Sequence, residues 1–224
     1  MTLIEQLTAV IIAIAQDISN NNSGGSGSIG NSDTSDINVL LPRKIGASQR
    51  WYQSGLRHGA EYPYLTQTMY SSAATNGIQY FVPFTALEDA TITALETQCT
   101  GGKANSTIRL GIYASDSNND VAAPLFTSTP LSCVEVGPKN APCNVQIIKG
   151  KVYWLSSLCI FAANPPSFNR NTPDSLFPIK GAKTATQSAT IGYYTTGNTS
   201  MTQSTPTSKV DIVSNAPRVL FITG

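Results

Sequence analysis

The stretch that decides the fold is KVYWLSSLCIF, residues 151–161, which follows the turn residues Lys149 and Gly150. It is the longest of a series of short runs, rich in β-branched and aromatic residues, that begins near Trp51. Turn residues separate these runs, and no segment after Trp51 has the period of an amphipathic helix. The pattern therefore predicts a mainly β domain.

The predicted strands are short and regularly spaced. They comprise residues 51–53, 78–84, 90–97, 106–114, 125–127, 131–136, 144–148, 151–161, 189–194 and 218–222. Segments with turn-forming residues separate them at 101–102, 116–120, 137–142, 149–150 and 197–198. About eight to ten strands at this spacing favour an antiparallel β-sandwich of two sheets with a jelly-roll-like topology, and a barrel is the alternative.

The first eighteen residues have a helical period instead. Apolar side chains recur at alternating intervals of three and four, at Ile4, Leu7, Ile11, Ile14 and Ile18. This is the seam of a short coiled coil, and isoleucine at both core positions favours three or more helices. We therefore expect these five residues to trimerise the chain, and the alternative is a helix that packs on its own domain.

The chain divides into three parts. Residues 1–18 form the predicted helix, and residues 19–48 form a linker and neck that begins with the Gly/Ser/Asn-rich stretch SNNNSGGSGSIGNSDTSD. Such a stretch buries too little apolar surface to order itself. Residues 49–224 form the β domain, which we call the head.

The charge balance limits the kinds of partner. Charged residues make up 12% of the chain and the formal net charge is +1, so we expect no binding to nucleic acid. The longest nearly uninterrupted apolar run, residues 7–15, is shorter than the roughly 20 residues that cross a bilayer, so we expect no membrane insertion. It could be the core of a signal peptide, but the first six residues include Glu5 and lack a basic residue.

The sequence predicts no metal or cofactor site. The four cysteines, Cys99, Cys133, Cys143 and Cys159, form no CxxC motif. A disulfide between Cys133 and Cys143 would close a short loop, but we expect them to stay unpaired because a simple hairpin would not place them opposite each other. The stretch 116–120 resembles the start of a calcium loop, yet it lacks the glycine and glutamate that an EF-hand requires, which leaves a looser oxygen site as the alternative to a polar turn.

Catalytic residues are also not evident. A nucleophilic site would have to use His58, the only histidine, which we interpret as a solvated loop residue. The nearest candidates for a pair of glycosidase carboxylates are Glu88 or Asp89 with Glu96. Because Glu88 and Asp89 are more typical of a turn before a strand, we expect a protein that is not an enzyme.

Aromatic residues are the remaining candidates for binding. The candidate glycan contacts are Trp51, Tyr52, Tyr62 and Tyr64, which lie in one stretch with Arg50, Arg57 and His58. Aromatic rings can stack on sugar faces while neighbouring polar groups bind the hydroxyls. The alternative is that these rings fill the core or a subunit interface.

Several motifs taken together resemble a known family. They are YFVPF (80–84), ATITAL (90–95), IRLGIYA (108–114), APLF (123–126), GKVYWL (150–155) and APRVL (216–220), with LIEQLTAV (3–10) at the start. In this order they resemble bacteriophage tail-fibre and virion-surface proteins, which carry an N-terminal trimerisation helix and a C-terminal β-sandwich head. The four cysteines and the segment 163–178 depart from that pattern.

The resemblance implies a non-enzymatic structural protein of the virion, a trimeric surface fibre or decoration protein of the tail or head, used in host adsorption. It also implies that the helix contacts another virion structural protein. We assign that contact to Val10 and Ile12, since Ile12 falls at an outward heptad position. The alternatives are a secreted carbohydrate-binding module, and a glycan depolymerase that would depend on Glu88 or Glu96.

Overall fold

The described residues of the computed structural model, 51–60, 70–171, 190–212 and 216–224, form strands joined by short connections. The strands are β1 (Arg57–Gly59), β2 (Tyr70–Ala73), β3 (Gln79–Thr85), β4 (Ala90–Gly101), β5 (Ser106–Ser115), β6 (Val121–Thr127), β7 (Leu131–Ser132), β8 (Gly137–Ile147), β9 (Val152–Phe161), β10 (Ser167–Asn171), β11 (Gly192–Thr195), β12 (Val210–Ile212), β13 (Ala216–Pro217) and β14 (Leu220–Thr223). The predicted helix 1–18 and linker 19–48 lie outside the described residues.

The strands form two antiparallel sheets. In sheet 1, β4 pairs with β8 on one edge and with β14 and β10 on the other, while β1 pairs with β14 and both β2 and β13 pair with β10. In sheet 2 the order is β12-β11-β3-β9-β5-β6, and β7 also pairs with β5. The prediction of a mainly β fold with two antiparallel sheets is confirmed.

The inner faces of the two sheets share one apolar core. Sheet 1 contributes Ile92, Leu95, Phe168 and Phe221, and sheet 2 contributes Leu110, Ile112 and Leu155. These residues alternate with side chains on the opposite face, as the two-residue repeat of a strand requires. Burial of a large aliphatic or aromatic side chain contributes about 1.5–3 kcal/mol, so this core is the main source of the head's stability.

The outer face of sheet 2 is also covered. Residues 196–209, which we call the outer strap, cross this face and bury a second apolar cluster. Its members are Phe81, Tyr113, Val121, Trp154, Leu158, Tyr193 and Met201. Met201 packs directly over Gly111, where an added Cβ would come within 2.7 Å of the Met201 methyl group. The added Cβ would also lie 3.1 Å from the Phe126 carbonyl oxygen, so the glycine allows the strap to pack closely on the sheet here.

A buried amide fixes the outer strap in place. The Gln79 side chain is fully buried, and its amide nitrogen donates hydrogen bonds to the Tyr113 hydroxyl (2.9 Å) and to Ser156 Oγ (3.0 Å). Its amide oxygen accepts hydrogen bonds from the backbone N–H (2.9 Å) and the hydroxyl (3.0 Å) of Thr202. The Tyr113 hydroxyl in turn donates to the Thr202 carbonyl at 2.6 Å. Both ends of the amide are satisfied, as burial of such a group demands.

Three predictions about secondary structure are wrong. Residues 51–53 are not a strand, because Tyr52 turns into the core ahead of β1. The predicted strand 131–136 ends at Ser132, where the chain crosses to sheet 1. The predicted turn 137–142 is the first half of β8. Its prolines suit an edge strand, because a missing N–H is tolerated where it would face away from the paired strand.

Strands β1, β2, β10, β12 and β13 were not predicted. β10 lies within the segment 163–178 that departs from the family pattern, and its residues pair with β4 and β2. All five strands are short, and their sequences lack the aromatic and β-branched runs that mark the longer strands.

Substitution Gln79→Ala tests the role of the amide. It leaves the Tyr113 and Thr202 groups without their buried partner, so we expect the free energy of unfolding to fall by about 2–4 kcal/mol. The matched control Gln146→Ala removes an exposed amide on β8 and should change stability by roughly 0.5 kcal/mol or less. Urea unfolding followed by Trp fluorescence measures both, and equal effects of the two substitutions would contradict this assignment.

Candidate functional site

The structure places two of the four candidate glycan contacts. Tyr52 is only 7% exposed and belongs to the core, with its ring 5.2 Å from that of Phe221. Its hydroxyl accepts a hydrogen bond from the Leu87 N–H at 3.0 Å, and burial raises its pKa to about 12. Trp51 is half-buried against the same core. Tyr52 thus fills the core, the alternative role considered for these rings, and its faces are not open to a sugar.

The other predicted site residues lie outside the described residues. They are the candidate glycan contacts Tyr62 and Tyr64, the seam residues Ile4, Leu7, Ile11, Ile14 and Ile18, and the attachment residues Val10 and Ile12.

His58 is not a solvated loop residue, so that interpretation is corrected. It lies on β1, half-buried, with its ring 5.0 Å from the Tyr52 ring and 5.6 Å from the Phe221 ring. Burial lowers its pKa, against smaller opposing effects of a hydrogen bond to Gln53 and the charge of Glu88. The histidine therefore helps to pack the start of the head onto β14.

Each of the three candidate carboxylates accepts hydrogen bonds that belong to the fold. Glu88 accepts the Tyr52 backbone N–H at 2.7 Å, and Asp89 accepts the Lys149 backbone N–H at 2.7 Å. Glu96 lies on the outer face of sheet 1, where Arg57 donates to both of its oxygens (2.5 and 2.9 Å). The hydrogen bond from Arg57 holds the pKa of Glu96 below its usual value. A general acid of a glycosidase needs the opposite shift.

The calcium-like stretch is a hydrogen-bonded turn. Asp116 Oδ1 accepts the backbone N–H groups of Asn118 (2.8 Å) and Asp120 (2.9 Å), as in other aspartate-capped turns. Asp120 Oδ2 contacts Lys209 Nζ of the outer strap at 2.6 Å. Within the ranges that the structure describes, no group of three histidine, cysteine or acidic side chains is arranged to hold a metal ion.

The head has two chemically different ends. At the first, which we call the proximal end, the connections 86–89 and 148–151 hydrogen-bond to each other through Ala86 and its partners Gly150 and Lys151. The chain comes into the described head here, because Tyr52 is bonded to the 86–89 connection. It also reaches Gly224 here, whose N–H donates to the Thr91 carbonyl at 3.1 Å.

The opposite, distal end is formed by five connections: residues 74–78, 102–105, 133–136, 162–166 and 196–200. Backbone hydrogen bonds tie them to one another, from Ala74 to Pro166, from Lys103 to Cys133 and from Asn198 to Gly77. Two asparagines add side-chain bonds, Asn198 to the Gly77 carbonyl and Asn76 to the Phe161 N–H. Hydrogen bonds within the head therefore cross-brace the distal connections, that is, they hold these connections in place without a partner.

The chemistry of the distal end is polar and nearly uncharged. Alanine, asparagine, glycine, serine and threonine predominate, and Lys103 and Glu135 are the charged residues of these connections. Val134 and Val136 add exposed apolar side chains, with Val136 61% exposed. Such a surface offers hydrogen-bonding groups and small apolar patches to an uncharged partner and provides little electrostatic attraction.

Sequence reasoning missed this surface because it depends on which strand ends meet. The shared Asn, Thr and Gly composition of 74–78 and 196–200 was visible in the sequence. These segments are 118 or more residues apart along the chain (196 − 78 = 118), and only the sheet order brings them together.

The Arg57–Glu96 pair predicts a pH dependence. Because the folded protein lowers the pKa of Glu96, the unfolded chain binds more protons near the ordinary carboxyl pKa of 4.5. The stabilisation is present above that pH and is lost as the pH falls through the lowered pKa of the folded state. The free energy of unfolding should therefore fall more steeply on acidification for the wild type than for Glu96→Gln. Glu135→Gln, at an exposed carboxylate, is the control. If the free energy of unfolding of Glu96→Gln falls with pH as steeply as that of the wild type, the result would contradict the pairing.

Comparison with solved structures gives a distant structural likeness. No protein-family model matches the sequence, and no curated protein matches it. A chain in the structure of infectious bursal disease virus Gt strain matches 82% of this chain at a TM-score of 0.30 and 12% identity, and the match covers 44% of that viral chain. A likeness this distant supports no conclusion about function. Among the described residues, no helix is long and apolar enough to cross a membrane.

Proposed function

We propose that this chain is a non-enzymatic structural protein on the surface of a bacteriophage particle, a trimeric fibre or decoration protein of the tail or head. Residues 1–18 anchor it and join three copies, and the head adopts a jelly-roll-like sandwich that contacts the host. The observation that carries the proposal is the difference between the two ends of the head. The chain enters the head at the proximal end, whereas the polar connections that hydrogen-bond to one another lie at the distal end.

A head with two different ends is compatible with a protein that is attached at one end and binds the host with the other. The strand β4 has twelve residues and so spans about 40 Å from the proximal end to the distal end. The chain before Trp51 joins the head at the proximal end, where Tyr52 bonds to the 86–89 connection. Receptor contacts made by a rigid scaffold lose little conformational entropy on binding, which favours a surface that is already braced.

The chemistry of the head supports a binding role over catalysis. Glu88, Asp89 and Glu96 each accept hydrogen bonds that stabilise the fold. The lowered pKa of Glu96 keeps it ionised, which is unsuited to protonating a glycosidic oxygen. A depolymerase is accordingly the less favoured alternative.

A secreted carbohydrate-binding module is the second candidate. It is favoured by the same uncharged distal surface, since amides and hydroxyls are the groups that bind neutral sugars. The two functions differ in location: a virion protein is present at fixed copy number in purified particles, whereas a secreted module is found in the medium without them.

A pair of arginine substitutions tests the adsorption surface. Asn164→Arg places bulk and charge at an exposed position of the distal end, and Asn118→Arg makes the same change in the exposed turn at the proximal end. In particles that carry each variant, Asn164→Arg should weaken binding to the bacterium on which the particles grow by about tenfold or more. Asn118→Arg should leave binding unchanged.

Adsorption rate and protein content per particle are measured together in this experiment. Equal binding by both variants, at wild-type content, would contradict a receptor-binding distal end. Absence of the protein from the particles would contradict the virion role itself.

A further inference from the structure

Three of the four cysteines meet in the core near the distal end. Cys99 on β4 and Cys133 after β7 are fully buried, and Cys159 on β9 is buried in the same cluster. Cys159 pairs with Ile108 of β5, and Leu131, two residues before Cys133, pairs with Ile108 from the other side. Cys143 lies elsewhere, with its thiol 3.5 Å from the Ile92 carbonyl toward the other half of β8.

Cys99 and Cys133 are brought together by contacts of their neighbours. The Lys103 N–H donates to the Cys133 carbonyl at 2.9 Å, and a Cβ added to Gly102 would lie 2.1 Å from the Val134 carbonyl oxygen. The chain immediately after β4, three and four residues beyond Cys99, therefore lies against the chain at Cys133. The Cys133 backbone is further fixed by its N–H bond to the Ser106 carbonyl at 2.9 Å.

We propose that Cys99 and Cys133 form a disulfide cross-link site. With oxidised glutathione as oxidant, the Cys133 thiolate attacks one glutathione sulfur and releases a glutathione thiolate. The Cys99 thiolate then attacks the Cys133 sulfur of the mixed disulfide and releases the second glutathione. The two protein thiols lose two protons and two electrons in all, and glutathione disulfide is reduced to two thiols.

The cross-link would join a central strand of sheet 1 to the crossover that leads from sheet 2 to β8. It closes the loop that contains β5, β6 and β7, and so restrains much of sheet 2 in the unfolded chain. This inference rests on the proposed virion role: the site would stay reduced during synthesis in the cytosol and would become oxidised after release. The distal connection 133–136 would then be anchored covalently.

The reaction is slow in the closed fold. Both sulfurs are buried, and burial, together with the neighbouring Cys99 thiol, raises the pKa of Cys133 to about 12. Since the thiolate is the nucleophile, oxidation requires the crossover at Cys133, whose residues 134–136 are exposed, to open, and the rate should rise with pH. Low concentrations of urea should speed it up for the same reason.

The test uses the full-length reduced protein with oxidised glutathione in sub-denaturing urea at mildly alkaline pH. Peptide mapping by mass spectrometry without reduction should find a Cys99–Cys133 peptide pair in the wild type. The cross-linked protein, returned to buffer, should melt roughly 5–15 °C higher than the reduced form.

Single substitutions provide the controls. Cys143→Ser should cross-link like the wild type, whereas Cys99→Ser and Cys133→Ser should not. Recovery of unlinked Cys99 and Cys133 from wild-type protein, or pairing with Cys143 or Cys159 instead, would overturn the proposal. Peptide mapping of the wild type tests the proposal even if a variant fails to fold. Because the experiment uses the isolated chain, a negative result does not bear on the virion role.

Discussion

The head depends on the burial of both faces of β9. Inward-facing Tyr153 and Leu155 require sheet 1 on one side, while outward-facing Trp154 and Leu158 require a cover on the other. The outer strap supplies that cover. Because the outer face also buries the Ser156 hydroxyl, the cover must bring a hydrogen-bonding network with it, and the Gln79 amide links Ser156 to Thr202 of the strap. The order of the layers therefore follows from one strand that has no solvent-facing side.

The same arrangement gives the head its two ends. A strand paired on both edges and covered on both faces leaves the strand ends as the places where chain connections reach solvent. Tyr52 bonds to the proximal connection 86–89 and Gly224 bonds to Thr91 at the start of β4, whereas the distal connections bond mainly to one another. The two ends of the strands therefore differ in their surroundings. The proposed function assigns attachment to the proximal end and adsorption to the distal end.

The sequence predicted the parts of the fold that depend on local pattern. β3, β4, β5 and β9 were recognised because long apolar and β-branched runs specify strands regardless of their partners. β8 was missed over 137–142 because Pro138 and Pro142 are turn formers locally, and their place in an edge strand depends on pairing with β4. The order of the strands in the two sheets likewise depends on contacts between residues far apart in the chain.

The candidate site was less accessible to sequence reasoning. His58 was interpreted as a solvated loop residue, and Tyr52 as a candidate glycan contact with a core position as the alternative. Contacts with Phe221, at the other end of the head sequence, place both side chains inward. Pairs such as Arg57 with Glu96 and Cys99 with Cys133 have the same origin in long-range packing. The sequence shows which chemical groups the chain contains, but it does not show which of them come into contact in the fold.

The most direct measurement of the central claim is immunogold electron microscopy of purified phage particles, with an antibody raised against the distal connection 196–200. The proposed function predicts gold label on intact particles, because residues 196–200 lie at the distal end and are largely exposed. An otherwise binding-competent antibody that leaves intact particles unlabelled, or that labels only disrupted ones, would contradict a distal end that projects from the virion.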